Sequence, residues 1–522
     1  MRHLDASLPQ FQVSEERRGI KGCAGRVLEI DLAKKEFSFQ PLGEEIARLY
    51  IGGKGYGTRL LYDRTEAGID PLGPKNLLIF ATGPLNGSVA PQSNRFAVIC
   101  KSPLTGGIGN ATCGGNYAYG MKRAGIDVIV VSNRSERPVR IEVNGDRDEV
   151  EFFDATDLWG KGTYETQEIL GKKKAHAVIG PAGENMVLYA GIVSNERIAG
   201  RTGVGAAMGS KRLKAISVTG TRKLEMDDPE AFKKYTKEIR EMFKGHPVLG
   251  SSLKRFGTAG IVNTTNGRGM LPTRNFQRGH FDEAMSISGE FMEDNGLVGV
   301  KSSCLHCPVT CGRDVLVDGK RVKGPEYETV ALLGSNLEIG DLKKVSEWNF
   351  LADDLGMDTI SLGATLSFAM ELQERGMFDA GVRFGDPEGI HNMDPKSLTH
   401  RMLSKVFEKS GPMMRIAMGI RGKPMLWFEK WLTYITGETF TSGHLQEIGG
   451  RIFNLKRMYN LREGFTAKDD TLPPRILNES IYENMDAGHP LSELLPRYYK
   501  LRGWNADGVP YRDTLDRLQV RV

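Results

Sequence analysis

Three of the chain's six cysteines fall within eight residues, Cys304-Leu305-His306-Cys307-Pro308-Val309-Thr310-Cys311. No other stretch constrains the fold so tightly. Thiolates are ligands for soft metals and for iron–sulfur clusters. The spacing C-x-x-C-x-x-x-C lets a short, turning backbone aim three sulfurs at one point. Pro308 after the second cysteine and Gly312 after the third hold the chain in a turn and keep it from running on as a helix. Two plainer readings stand beside the cluster. Free cysteines pack as small hydrophobes, and three thiols with His306 could suggest zinc. His306, however, lies inside the C-x-x-C turn and points away from a shared tetrahedral site. A cubane cluster takes four ligands and only three are local, so the fourth comes from elsewhere. Cys113 is one candidate, and its alternative is a buried thiol.

The 522 residues call for two to four domains. With 70 basic and 65 acidic residues the formal net charge is only +5, which argues for neither nucleic acid nor a membrane surface as partner. No apolar run reaches membrane-spanning length. Met1–Gly22 has no apolar signal core and reads as a loose leader. Six cysteines, half of them clustered, make no disulfide framework, so a reducing cytoplasm is expected. The 63 glycines concentrate in loops of the first half, as if backbone closed tightly around something.

Along the chain, Val27 to Phe39 reads as a β-hairpin about Ala33-Lys34-Lys35. Gly52-Gly53-Lys54-Gly55-Tyr56-Gly57 precedes a helix and is either an anion cradle or a tight turn. Leu77–Phe80, Arg95–Cys100 and Val128–Val131 are apolar strands. Arg95 enters its strand from a polar loop, as a surface charge or a phosphate clamp. In Arg197-Ile198-Ala199-Gly200-Arg201-Thr202-Gly203-Val204-Gly205 two arginines flank glycines, which suits a bulky anion and not a dinucleotide. Asp157–Leu170 reads as a helix. Beyond residue 225 the chain is mainly helical: Asp228-Pro229 starts an amphipathic helix, Leu342–Leu355 and Leu362–Arg375 are two more, and residues 383–395 form a loop. No internal repeat is evident.

Taken together, these motifs resemble the aldehyde ferredoxin oxidoreductase family of tungsten or molybdenum pterin enzymes. The likeness runs from Gly25 to Trp504 and rests on long matches: YIGGKG at Tyr50–Gly55, KSPLTG at Lys101–Gly106, GPAGEN at Gly180–Asn185, AGRTGVGAAMGSKRLKA at Ala199–Ala215, GPEYE at Gly324–Glu328, DDLGMDTIS at Asp353–Ser361, DDTLPPR at Asp469–Arg475 and LPRYYKLRGW at Leu495–Trp504. The resemblance implies an α+β chain. It begins with a leader at 1–24 and a β-rich bis-pterin-binding base at 25–225. A helical domain with the cysteines at 226–415 and a shortened helical domain at 416–522 would follow. It implies a tungsten (or molybdenum) bis-pterin, a [4Fe–4S] cluster on Cys304, Cys307 and Cys311 with an unidentified fourth ligand, and a bridging Mg²⁺. The reaction would take a small aldehyde to a carboxylic acid, with electrons leaving to ferredoxin or another electron-transfer subunit. By the same resemblance, Arg95 and Arg201 meet the pterin phosphates and Gly114, Thr202 and Gly203 form the turns that approach them. Asp353, Gly356, Met357 and Asp358 contact a pterin, and Glu328 accepts a proton from the attacking water. A structural alternative pairs Glu328 with an arginine.

The departures matter too. Thr112 stands where the family has an Asn for Mg²⁺. Phe350 stands where the family's interface iron site has a His after Glu347, so a homodimer would lack that metal. Between Arg415 and Trp427 the chain omits a long family segment that carries the fourth cluster cysteine, and no cysteine follows Cys311. A second expectation therefore stands beside the enzyme: an inactive relative that serves as a scaffold or interaction subunit.

Overall fold

The computed structural model describes residues 20–317, 319–391, 427–479 and 491–522. Most of the expected leader and the shortened stretch at 415–426 lie outside these residues.

The first strands are β1 (Arg26–Asp31), β2 (Glu36–Pro41), β3 (Leu78–Ala81), β4 (Phe96–Lys101), β5 (Ile108–Cys113) and β6 (Val128–Ser132). They make one sheet in the order β2-β1-β6-β3-β4-β5. A second sheet takes β7 (Val139–Asn144), β8 (Glu149–Asp154), β9 (Ala175–Val178), β10 (Ile192–Ser194), β11 (Arg197–Ala199) and β12 (Leu213–Thr219), ordered β11-β10-β9-β12-β7-β8. Read from its other edge, the second order is the first with every strand advanced by six. The single parallel pair also recurs, β1 with β6 and β7 with β12. In each half a short helix follows the fifth strand, Tyr117–Arg123 in one and Val204–Ser210 in the other. The base is thus a topological duplication, which corrects the sequence-based expectation of no repeat. Sheets constrain which positions face inward and leave the residues free, so strand order can survive after residue similarity has gone.

One core fills the space between the two sheets. Leu28, Phe80, Phe96, Tyr117 and Met121 meet Ile141, Ile192, Met208 and Ile216 there. The central strands β3 and β4 are buried on both faces, which explains their unbroken apolar runs. Their outer face, through Ile79, Ala97 and Ile99, packs under the helix Lys54–Arg64 and the late helix Ser442–Arg462. The last residues, Leu515, Leu518 and Val520, complete that layer. Gly57 lacks a side chain because Ile99 fills the position a Cβ would take.

A second core lies between residues 259 and 390, around the helices Leu342–Leu355 and Thr359–Glu374. Their N-termini are capped by Asp341 and Asp358. Within this mainly helical part sits a three-stranded meander, β13 (Val298–Ser302), β14 (Gly312–Val317) and β15 (Lys320–Lys323). Its short Val-rich alternation is easily passed over beside strong helical periodicity. Residues 387–391 are helical where a loop is expected, and the helix expected over 157–170 is regular only from Thr163. The helix Pro229–Gly245 packs on Trp427–Thr436 and on Val309 of the cysteine segment.

Candidate cofactor site

The cysteine segment is the loop of a β-hairpin. Ser302 and Gly312 pair across β13 and β14, so the backbone must turn back on itself through Cys304–Cys311. His306 and Thr310 adopt positive φ, 62° and 47°, inside that turn. All three thiols are free and partly buried. Burial pushes the Cys307 and Cys311 thiols up, and the charge of Arg197 works in the opposite direction. Among the described residues no three His, Cys, Asp or Glu side chains close on a single metal ion. A tetrahedral zinc would need its sulfurs about 3.8 Å apart. Cluster thiolates bind separate irons and stand wider. His306 turns instead toward the Tyr119 ring, at 5.9 Å.

The hairpin reaches the base at Gly114. A Cβ on Gly114 would lie 2.6 Å from Cys304 Sγ, 3.3 Å from Arg197 Cγ and 3.7 Å from Arg95 Nη1. A thiol, the aliphatic stem of Arg197 and the guanidinium of Arg95 thus converge on one glycine, and only glycine leaves them room. Arg95 is anchored by its Nη2, which donates to the Thr112 carbonyl (3.3 Å) and hydroxyl (3.2 Å).

Gly114 belongs to the turn from β5 into its helix. Gly200-Arg201-Thr202-Gly203 is the equivalent turn of the other half, from β11 into its helix. The second turn lies against the start of β5: a Cβ on Gly109 would lie 3.2 Å from Thr202 Oγ1. Arg95 adjoins Thr112 on the same strand, three residues and about 10 Å along it. Edge strand β5 therefore lies beside both turns, and two matching half-sites suit a two-part ligand. Thr202 holds φ 67° and Gly203 φ 74°. A β-branched residue in the left-handed region costs about 1–2 kcal/mol, so the turn is held open against its own preference.

Arg201 uses Nη1 for Asp358 Oδ2, at 2.7 Å, and Ser361 Oγ, at 3.2 Å. Its side chain remains 39% exposed, enough for the rest of the fork to meet an anion. Asp353 is buried, and its carboxyl is pushed up by desolvation against the pull of Lys323, whose Nζ lies 2.7 Å away. Gly356 accepts at its carbonyl from Gly191 N–H, and Met357 bridges Ala190. The segment 353–358 is thus the seam between base and second domain, with its carboxylates already paired. The Thr112 hydroxyl faces Arg95, and the Thr202 carbonyl accepts from Ser102 Oγ at 2.9 Å. Both groups expected near Mg²⁺ are engaged.

Glu328 is exposed to solvent, yet its carboxyl is pushed up by desolvation and then by Glu326, as in a concave wall. The arginine pairing considered for Glu328 belongs to Glu326, which meets Arg197 Nη1 at 2.6 Å. Sequence reasoning placed Arg197 on an external anion and missed this partner, which is far along the chain. Phe350 stacks on Tyr164, with ring centroids 5.1 Å apart. A cavity of ≈ 630 Å³ near Tyr499 and Trp504 shares no residue with this site.

Two family models match. That of the aldehyde ferredoxin oxidoreductase N-terminal domain covers residues 27–220. That of domains 2 and 3 covers 234–404 and 417–520. The tungsten-containing aldehyde ferredoxin oxidoreductase of Pyrococcus horikoshii is 36% identical over 595 aligned positions, covering 93% of this chain and 97% of that protein. Those positions exceed the 522 residues present here. A Pyrococcus furiosus protein, the WOR-like subunit of an aliphatic sulfonate oxidoreductase, is 32% identical over 95% of this chain and 97% of its own length. Among solved structures, the active site complex BamBC of benzoyl coenzyme A reductase superposes with a TM-score of 0.78. It is 24% identical, covers 96% of this chain and 97% of its own, and shows the fold alone.

Proposed function

The chain belongs to the aldehyde ferredoxin oxidoreductase family, and from that premise we propose that it is a cytoplasmic enzyme oxidising a small aldehyde to its carboxylic acid. Aldehyde and water become acid, two protons and two electrons. A tungsten (or molybdenum) bis-pterin, when bound, supplies the two-electron oxidation, and an iron–sulfur cluster carries the electrons out to ferredoxin or a comparable subunit. The observation that carries this reading is the convergence of Cys304, Arg95 and Arg197 on Gly114, at one of two equivalent turns.

The residues present suit such a group. Arg95 and the open side of Arg201 offer bidentate contacts to phosphate. Gly114 lets Cys304 Sγ and the Arg197 stem close on the backbone at the turn beside Arg95. Cys304, Cys307 and Cys311 would hold the cluster. Thr202, Gly203, Gly356 and Met357 shape the walls, and Asp353 and Asp358 fix the seam through Lys323 and Arg201. Mg²⁺ would have to displace the bonds now made by Thr112 and Thr202.

Glu328 is the proton acceptor in this scheme. Its raised carboxyl makes it a stronger base than an ordinary glutamate, and its exposure gives water access to it. Glu328→Gln should lower aldehyde-dependent reduction of ferredoxin or a viologen dye by about 10²–10⁴-fold, with tungsten and iron content unchanged. Equal rates in both proteins would remove Glu328 from the reaction.

A second reading is favoured by the break of the C-terminal family model between 404 and 417 and by the longer alignment of the relatives. On it, the chain is an inactive relative that acts as a scaffold or interaction subunit. Metal-loaded protein that reduces no dye with any aliphatic or aromatic aldehyde would favour it.

A further inference from the structure

We infer that Arg197 is a positioning residue of the iron–sulfur site, holding the cysteine hairpin against the base and raising the cluster's reduction potential. The inference rests on the reading of Cys304, Cys307 and Cys311 as cluster ligands.

Five observations point the same way. Arg197 is the first residue of β11, paired with Ser194, so its backbone is fixed by the second sheet. Its stem packs on Gly114, beside Cys304 Sγ. Its Nη2 fills the position a Cβ on Gly312 would take, at the far end of the cysteine loop. One side chain from the base therefore spans the hairpin mouth, touching the glycine next to Cys304 and the glycine after Cys311. Nη1 is committed to Glu326 at 2.6 Å. Nη2 is buried and has no hydrogen-bond partner among the described residues.

A buried N–H donor without an acceptor is destabilising, so a chain that keeps one has a reason for it. Here the donor sits among acidic groups: the charges that act on Arg197 are those of Glu326, Cys304, Cys311 and Glu196. Ser302 Oγ lies beside Nη2 at the Gly312 position without a hydrogen bond to it, and the sulfurs of Cys304 and Cys311 are the other acceptors that act on Arg197. Hydrogen bonds to cluster and cysteinyl sulfurs, and nearby positive charge, both favour the more negative reduced state. The guanidinium keeps its charge at every working pH, so this contribution needs no proton uptake. Glu326 opposes it. Its charge acts on Cys311 as well as on Glu328.

The test is a potentiometric titration of the cluster, followed by EPR, in the full-length protein purified without oxygen. Iron is first counted in the wild type. Wild type without iron overturns the cluster reading and this inference with it. With iron present, Arg197→Met should shift the midpoint potential to more negative values. Arg197→Lys, which keeps charge and loses the fork, should fall between the two. Glu326→Gln should shift it to more positive values. If Arg197→Met fails to retain iron, Arg197→Lys and Glu326→Gln decide by their opposite signs. Potentials equal to wild type in those two variants, at full iron content, would overturn the role assigned to Arg197 while leaving the cluster in place.

Discussion

Gly114 shows how much one missing methyl group can decide. A Cβ there would press on Cys304 Sγ and the Arg197 stem together. We expect Gly114→Ala to lose most of its iron while keeping the far-ultraviolet circular dichroism of the wild type. Retention of full iron would separate the hairpin from the base site. A second residue-scale case is Glu371. Desolvation pushes its carboxyl up, but hydrogen bonds from Arg475 and Asn275 and the charges of Arg475 and Arg375 outweigh it and take it to about 2. Its folded value is depressed below the ordinary 4.5, so the stability it contributes is present above pH 4.5 and is lost as pH falls toward 2. Glu371→Gln should cost about 3 kcal/mol at neutral pH. Urea titrations from pH 7 to pH 3 should show the difference from wild type shrinking in the acid range. A constant difference would contradict the pairing.

At the scale of elements, the base depends on close backbone contact between its short helices. Gly209 on the helix Val204–Ser210 lies against the Gly183 carbonyl, with no room for a Cβ. Gly209→Ala should therefore destabilise the protein by about 1–3 kcal/mol, read as a lower denaturation midpoint in urea. An unchanged midpoint would mean the helices can part without loss. The strands and long helices were legible in the sequence because burial on one or both faces imposes a period. The β1–β2 hairpin and the helices that start at Pro229 and Leu342 came from that signal. The duplication was not legible, since β4 has six residues and its counterpart β10 only three. At the site, the cysteine spacing and the arginine–glycine turns were visible as local patterns. The bonds Arg197–Glu326, Lys323–Asp353 and Arg201–Asp358 join residues 129, 30 and 157 positions apart. No local pattern reports a partner at such range.

Across the whole molecule, the end of the chain is part of the first domain's core. Leu515, Leu518 and Val520 share a cluster with Tyr56, Leu60 and Ile99. Buried Arg451 ties the Leu518 and Leu49 carbonyls together. Base and C-terminal region should therefore melt together, and Arg451→Ala should lower the calorimetric transition of the base. Among the described residues no helix is long and apolar enough to cross a membrane. We propose that two equivalent turns and one cysteine hairpin form a single bed for a paired pterin and its cluster. Elemental analysis of protein purified anaerobically from tungstate-supplied cells tests it most directly. About one tungsten or molybdenum and three to four irons per chain are expected, with iron lost in Cys304→Ser. One zinc per chain, or iron with neither tungsten nor molybdenum, would contradict it.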